Sequence, residues 1–450
     1  MSTIIGRVVD TLLTGFETIK EEIREIFPHL ETPEDINGRF NEGQLLHQNK
    51  HYQRAIEAFD DVLEFSPEFA FGYYARGRSK WEAKKVESAL HDFKLALDKG
   101  LNTPNLYCAM ALAQSELKRH GLALASTLKA IELDADHAFA YECRAVAMRQ
   151  MGNTKAALKN ANLAISLNEN RSHTYLIRAR IYNDLGQLDK VLKDYNSALL
   201  CDPNNMLALY NRAQLNLSLG DTVAAERDYR YMLTLQARRE DDYIHRAALH
   251  IAFNHYNEAI EDCEEALESN SKSSIAYYNK AVANLKLNEL SRALEDCNSA
   301  ILLESKEPIY YMVRGKVHLE LRNFVAAIED CRRAIKLEPE NPAHYNNRAF
   351  ARISLHQYPA AIKDCNKAIA LDEQFAYAYS NRAFAYYKQG KLKKALEDCN
   401  KAIELDDTYA AIHYYRGIVL YHLDRHKEAR QEIAQADEMG YDGEREAILW

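Results

Sequence analysis

Small and apolar side chains recur along this chain with a fixed period of 34 residues. The period runs from Ile36 to Gly443, twelve times, with no residue inserted or deleted. Numbering each repeat from its first residue, position 8 is Gly or Ala in all twelve, from Gly43 to Gly417. Position 20 is Ala in eleven, with Val191 the exception, and position 27 is Ala in ten, with Val62 and Met232 departing. Such a period marks one supersecondary unit stacked on its own copies. Two antiparallel helices approach to ~8 Å only where side chains nearly vanish, which accounts for the Gly and Ala. Leu46 at position 11 and Phe59, Phe93, Tyr195 and Tyr229 at position 24 fill the space between. Position 15 holds Gly152, Gly186, Gly220, Gly390, Asn254 or Asn288, residues that tolerate a left-handed helix cap. Pro67, Pro203 and Pro339 at position 32 end the second helix, and Pro104, Pro308 and Pro342 open first helices, where a missing N–H costs nothing. Each repeat is therefore predicted as helix, tight turn, helix.

With those residues in place, and with stretches such as SNRAFAYYKQGKLKKALEDCNKAIELDD over 380–407, the chain resembles the tetratricopeptide repeat family. The resemblance covers residues 36–443, or 408 of 450 residues. It implies an all-α fold, an α-solenoid wound as a right-handed superhelix whose first helices line a concave groove. The expected organisation is an N-terminal amphipathic helix and linker over 1–35, twelve tandem repeats over 36–443, and a short extension over 444–450. A solenoid buries its core between neighbours, so a chain of this length forms one elongated array.

Before the repeats, Ile5, Val9, Leu12, Phe16, Ile19, Ile23 and Ile26 alternate at spacings of four and three, the seam of an amphipathic, coiled-coil-like helix. Pro28 ends it, and Thr32-Pro33-Glu34-Asp35 reads as the capped start of the first repeat. Three roles are open for residues 5–26: capping the solenoid end, filling the groove as a built-in ligand, or self-association with another chain. Residues 1–35 carry three basic and eight acidic side chains, a poor match to an anionic membrane surface.

Charge is patterned too. Position 7 is cationic in ten repeats, from Arg76 to Arg416, with Lys280 the one lysine. Position 23 is acidic in nine of those ten, from Asp92 to Glu432, and Asn160 in the tenth. The two repeats lacking the cation, with Glu42 and Met110, carry Ala58 and Ser126 there. This pattern predicts a cation–carboxylate contact between the two helices of a repeat, worth ~0.5–1 kcal/mol as a solvent-screened pair.

The function classes narrow accordingly. A net charge of −9 argues against nucleic acid, whose binding depends on clustered Lys and Arg. No stretch approaches the ~18 consecutive apolar residues of a membrane span, and MSTIIGRVVD lacks the pattern of a secretory leader. A cytoplasmic protein with no cofactor is expected. Five of the eight cysteines, Cys263, Cys297, Cys331, Cys365 and Cys399, share position 24. Equivalent sites in stacked repeats stand ~8–10 Å apart, too far for disulfides, and zinc-ligand spacing is absent; these thiols read as small buried hydrophobes. No phosphate loop or nucleophile elbow is present, so the chain reads as no enzyme and no metal protein.

What remains is a scaffold or adaptor that binds protein or peptide segments. The resemblance places groove-lining residues at positions 2, 5, 6, 9, 12 and 13 of the first helices. The candidates are Tyr210, Asn211, Tyr278, Asn279, Asn347, Phe350, Tyr377, Asn381, Phe384, Tyr387 and Tyr414. Aromatic anchors among neutral amides suit an apolar, sequence-tolerant segment. The alternatives are a receptor for acidic C-terminal tails, as in the family's co-chaperones, or a regulatory array serving an enzyme in trans. The tail receptors use Lys at position 5 of the repeat preceding an Asn at position 6. Here Leu176, Ile244, Met312 and Asn346 occupy those places, so the basic clamp is incomplete.

Overall fold

In the computed structural model of the protein, residues 34–441 are described, residue 238 apart. The amphipathic helix expected over 5–26 and the extension over 444–450 lie outside the described residues. Among the described residues there are 24 α-helices and no strand, paired as first (A) and second (B) helices of twelve repeats. In repeat 2 the pair is Ala70–Glu82 and Val86–Asp98; in repeat 11 it is Ala376–Lys388 and Leu392–Leu405. The chain divides into two compact units, one ending at Gln236 and the other starting at Ala237. The B helix of repeat 6, Thr222–Leu233, has 12 residues where Leu392–Leu405 has 14.

Within a repeat the turn is closed by a left-handed residue at position 15, as predicted for Gly152, Gly186, Gly220, Gly390, Asn254 and Asn288. The same conformation also occurs at Lys50, Lys84, Lys118, Arg322, His356 and Asp424, with φ of 54–64°. Residue type did not announce these six. In repeat 3 the amides of Lys118 and Arg119 donate to the Ser115 and Gln114 carbonyls at 3.0 and 2.8 Å. These two bonds satisfy helix-end carbonyls, and they offset a left-handed strain of ~1–2 kcal/mol.

The spacing of paired helices is set by positions 8 and 24 together. A Cβ on Gly77 would stand 2.7 Å from Phe93, one on Gly43 2.7 Å from Phe59, and one on Gly417 2.6 Å from Ile433. Where position 24 is small the demand relaxes: opposite Cys331, a Cβ on Gly315 meets nothing nearer than Asp330 Cβ at 3.6 Å. In the repeats of Gly43, Gly77 and Gly417 a large residue on one helix meets Gly on the other, whereas Tyr195 and Tyr229 face Ala179 and Ala213. The position-24 cysteines are free and buried. Burial first of all, with nearby carboxylates adding to it, pushes the Cys297, Cys331 and Cys365 thiols up to about 12. They serve as core side chains.

The charge ladder forms in eight repeats. Arg76, Arg178, Arg212, Arg246, Arg314, Arg348 and Arg382 each grip the position-23 Asp of their own repeat through Nε and Nη2 at 2.5–3.0 Å. Arg416 grips Glu432. Two features differ from expectation. The carboxylates are buried, from 0% exposed at Asp92 to 14% at Glu432, so these forks are desolvated and stronger than a screened surface pair. Lys280 departs: its ammonium pairs with Glu264 at 2.9 Å, while Asp296 accepts from Asn284 Nδ2 at 2.8 Å.

In six of these arginines Nη1 reaches backwards, to position 25 of the preceding B helix. Arg76 bonds Asp60 at 2.6 Å, Arg178 bonds Asn162 at 2.8 Å, Arg212 bonds Asn196 at 2.6 Å, Arg314 bonds Asn298 at 2.8 Å and Arg382 bonds Asn366 at 2.7 Å. Arg416 bonds Asn400 at 3.3 Å. Each such guanidinium therefore ties three helices, two of its own repeat and one of the repeat before. Arg332 stands at the equivalent place before Arg348 and offers no acceptor. Tyr at position 4 completes the setting, with ring centroids 5.3–5.7 Å from the guanidinium carbon in repeats 2, 5, 7, 9, 10 and 11.

Candidate interaction surface

With the B helices and the ladder holding one side of each A helix, the other side carries positions 2, 5, 6, 9, 12 and 13. Positions 2 and 9 are seven residues apart and share a helix face. In the second unit this face presents large apolar groups to solvent. Ile275 is 48% exposed, Ile309 45%, Phe350 45% and Tyr377 45%. Tyr377 stands edge-on to Tyr409 at 5.0 Å, and Phe384 lies 4.9 Å from Tyr415 and 6.4 Å from Tyr387. Lys388 lies 5.3 Å from the Phe384 ring and 5.2 Å from the Tyr387 ring.

The eleven candidate residues fall into three groups. Phe350 and Tyr377 are exposed. Tyr278, Asn347, Asn381, Phe384 and Tyr387, in the second unit, and Tyr210 and Asn211, in the first, are half-buried. Asn279 and Tyr414 are buried, at 5% and 3%; Tyr414 stacks on Tyr441 at 4.4 Å. Two of the amides already have work inside the solenoid. Asn279 Nδ2 donates to the Ile244 carbonyl at 3.3 Å, and Asn381 Nδ2 donates to Asn346 Oδ1 at 2.8 Å. Position 6 thus fastens one A helix to position 5 of the A helix before it, which leaves Asn347 and Asn211 as the half-buried amides without such a bond among the described residues.

A second link joins A helices on the same side, from position 12 to position 13 of the next repeat. Trp81 Nε1 donates to Glu116 at 2.8 Å, and Arg149 forks Asp184 at 2.6 and 3.0 Å. Tyr387 Oη meets His422 Nε2 at 3.0 Å. Ile275 and Ile309 recur at position 2, and that recurrence marks them in the sequence as members of the same apolar face. Among the described residues no cluster of three metal-ligating side chains occurs, and no helix is long and apolar enough to cross a membrane.

Stacked helical hairpins with small residues at their contacts define an α-solenoid of helix-turn-helix repeats, and that architecture serves protein–protein interaction. Models described as tetratricopeptide repeat match residues 37–69, 104–137, 246–308, 309–341 and 376–409, and one described as TPR repeat matches 351–390. The chain belongs to the tetratricopeptide repeat family. No curated protein matches it. Among solved structures, a chain of the APC/C hetero-tetramer Cut9–Hcn1 is 15% identical, with a TM-score of 0.57, over 97% of this chain and 93% of that one. Yeast Tom70 is 16% identical, with a TM-score of 0.42, over 83% and 92%. YrrB, described as a TPR protein with an unusual peptide-binding site, is 23% identical, with a TM-score of 0.33, over 40% and 93%.

Proposed function

We propose that the protein is a non-catalytic scaffold whose second unit holds an apolar segment of another protein along the A helices of repeats 8 to 11. The observation that carries this reading is the exposure of Ile275, Ile309, Phe350 and Tyr377. Large apolar side chains repeated at one face of successive helices form a strip that gains from being covered. Each is held on a rigid helix, so little entropy is lost when a partner packs against it. Asn347 is the neutral amide on this face free to bond an incoming backbone. A charged tail fits less well, because Leu176, Ile244, Met312 and Asn346 stand where its clamp needs lysine, and the position-7 guanidinium groups are engaged by the ladder. Replacing Ile275, Ile309, Phe350, Tyr377 and Asn347 together with Ala removes the strip while leaving the buried core residues unchanged. Partners captured by the wild-type chain from its native extract, identified by mass, should then be lost at least tenfold, with melting unchanged within ~2 °C. Equal capture of the same partners by the variant would rule this surface out.

A further inference from the structure

Two cysteines outside position 24 lie against each other in the first unit. Cys108 is at position 5 of the A helix of repeat 3, Pro104–Glu116, and Cys143 at position 6 of the next A helix, Ala138–Gln150. Positions 5 and 6 of successive A helices meet elsewhere too, where Asn279 bonds the Ile244 carbonyl and Asn381 bonds Asn346. Here the Cys143 thiol donates to the Cys108 carbonyl at 4.0 Å, and the two thiols are hydrogen-bonded to each other. His137, directly before the second helix, is hydrogen-bonded to Cys108, and its ring nitrogens lie 3.2 Å from Asp134 and from Asn105. Both cysteines are buried, but the His137 side chain is 21% exposed, so solvent reaches the edge of the group. The two sulfurs also differ. Burial raises Cys108, but hydrogen bonds from Cys143 and His137 outweigh it and hold this thiol below its ordinary range. Burial, and then the bond to Cys108, push the Cys143 thiol well up. The thiolate and not the thiol is the nucleophile, so the pair offers one attacking sulfur and one resolving sulfur beside it.

We propose that Cys108 and Cys143 are a peroxide-sensitive modification site, where a reversible disulfide locks the A helices of repeats 3 and 4 together. The Cys108 sulfur, its proton on His137, attacks one oxygen of hydrogen peroxide. The O–O bond breaks, and the leaving oxygen takes the His137 proton and departs as water. Cys108 is then a sulfenic acid, which condenses with a neighbouring thiol. The Cys143 sulfur attacks the Cys108 sulfur, the S–O bond breaks, and the hydroxide released takes the Cys143 proton to form a second water. The two thiols have given two electrons to one peroxide. A small dithiol reverses the step by exchange at the disulfide. The position-24 thiols have no such partner, since equivalent sites of stacked repeats stand ~8–10 Å apart. Cys201 is half-exposed, and its thiol bonds the Glu169 carbonyl at 3.4 Å; burial, and then Glu169, raise it. It is the internal control for simple accessibility. This inference is independent of the surface on repeats 8 to 11.

The test treats the full-length protein with equimolar hydrogen peroxide, blocks the remaining thiols and digests the chain without reductant. Peptides joined through Cys108 and Cys143, two hydrogens lighter than the reduced pair and separated by dithiothreitol, should appear while Cys201 is still free. In the oxidised protein, hydrogen exchange in the A helices of repeats 3 and 4 should slow at least tenfold, with the helices of repeats 8 to 12 unaltered. In Cys143→Ser, dimedone should capture a sulfenic acid at Cys108; in Cys108→Ser, Cys143 should remain a thiol. Absence of the joined peptides overturns the proposal, and so does oxidation that falls on Cys201 first. Unchanged exchange in repeats 3 and 4 overturns the lock. Dimedone capture at Cys143 and not at Cys108 overturns the assignment of the attacking sulfur. Should either Ser variant fail to fold, the joined peptides and the exchange of the wild-type chain decide.

Discussion

One methyl group separates residues that look equivalent in the repeat. Gly77 and Gly315 share position 8, yet a Cβ on the first would stand 2.7 Å from Phe93 and on the second 3.6 Å from Asp330. Gly77→Ala must displace a fully buried ring and should cost about 1–3 kcal/mol, as overpacking does. Gly315→Ala adds no clash and gains helix propensity, so it should be neutral or stabilising by about 0.5–1 kcal/mol. Urea unfolding of the two variants measures the contrast, and an equal loss in both would refute the pairing of positions 8 and 24. The glycine at position 8 was legible in the sequence. Its dependence on the residue sixteen places away was not, because a side chain's room is decided by what faces it.

Between the two helices of a repeat, Asp262 and Asp296 occupy the same place with opposite electrostatics. Burial alone would raise the Asp262 carboxyl, but hydrogen bonds from Arg246 and His250 outweigh it and hold the group below its ordinary range. Burial raises Asp296, and the Lys280 charge with the Asn284 hydrogen bond does not compensate. A depressed carboxyl stabilises the fold above its unfolded pKa of ~3.9, and the benefit fades as pH falls through the folded value. Asp262→Asn should therefore cost about 2–3 kcal/mol at pH 7, leaving Arg246 without its fork, and progressively less in acid. A raised carboxyl favours the protonated fold, so its contribution is present at low pH and is lost as pH rises through the folded value. Asp296→Asn should be neutral or stabilising by up to about 1 kcal/mol at pH 7, with Asn284 still able to bond the new side chain. Chemical unfolding between pH 3 and pH 7 checks both signs. The pairing of position 7 with position 23 was legible because the two types change together along the chain. The backward bond from Arg to position 25 left a fainter trace: Asn162, Asn196, Asn298, Asn366 and Asn400 each precede an Arg-bearing repeat.

Within each unit successive repeats pack together, and the position-7 guanidinium, the position-6 amide and the position-12 to position-13 bonds are among the polar ties between them. In such a chain stability is a sum over repeats and their interfaces, so damage stays local. Hydrogen exchange in Gly77→Ala should rise in repeats 1 to 3 and leave repeats 9 to 12 unaltered. A uniform rise along all twelve repeats would show a more cooperative molecule than these nearest-neighbour ties imply.

The sequence by itself determined the architecture: the period, the helix pairs, the small residues at their contacts and the charge pair inside each repeat. These are local features copied twelve times, and repetition makes a weak local signal strong. Tertiary structure decided the rest. It placed left-handed turns at Lys50, Lys84, Lys118, Arg322, His356 and Asp424, where the backbone hydrogen bonds of the cap and not the residue type set the conformation. It buried Tyr414 and Asn279 while exposing Ile275 and Ile309. It also left Arg78 beside His47 with no carboxylate within 4 Å among the described residues, because burial and counter-charge depend on which helices meet.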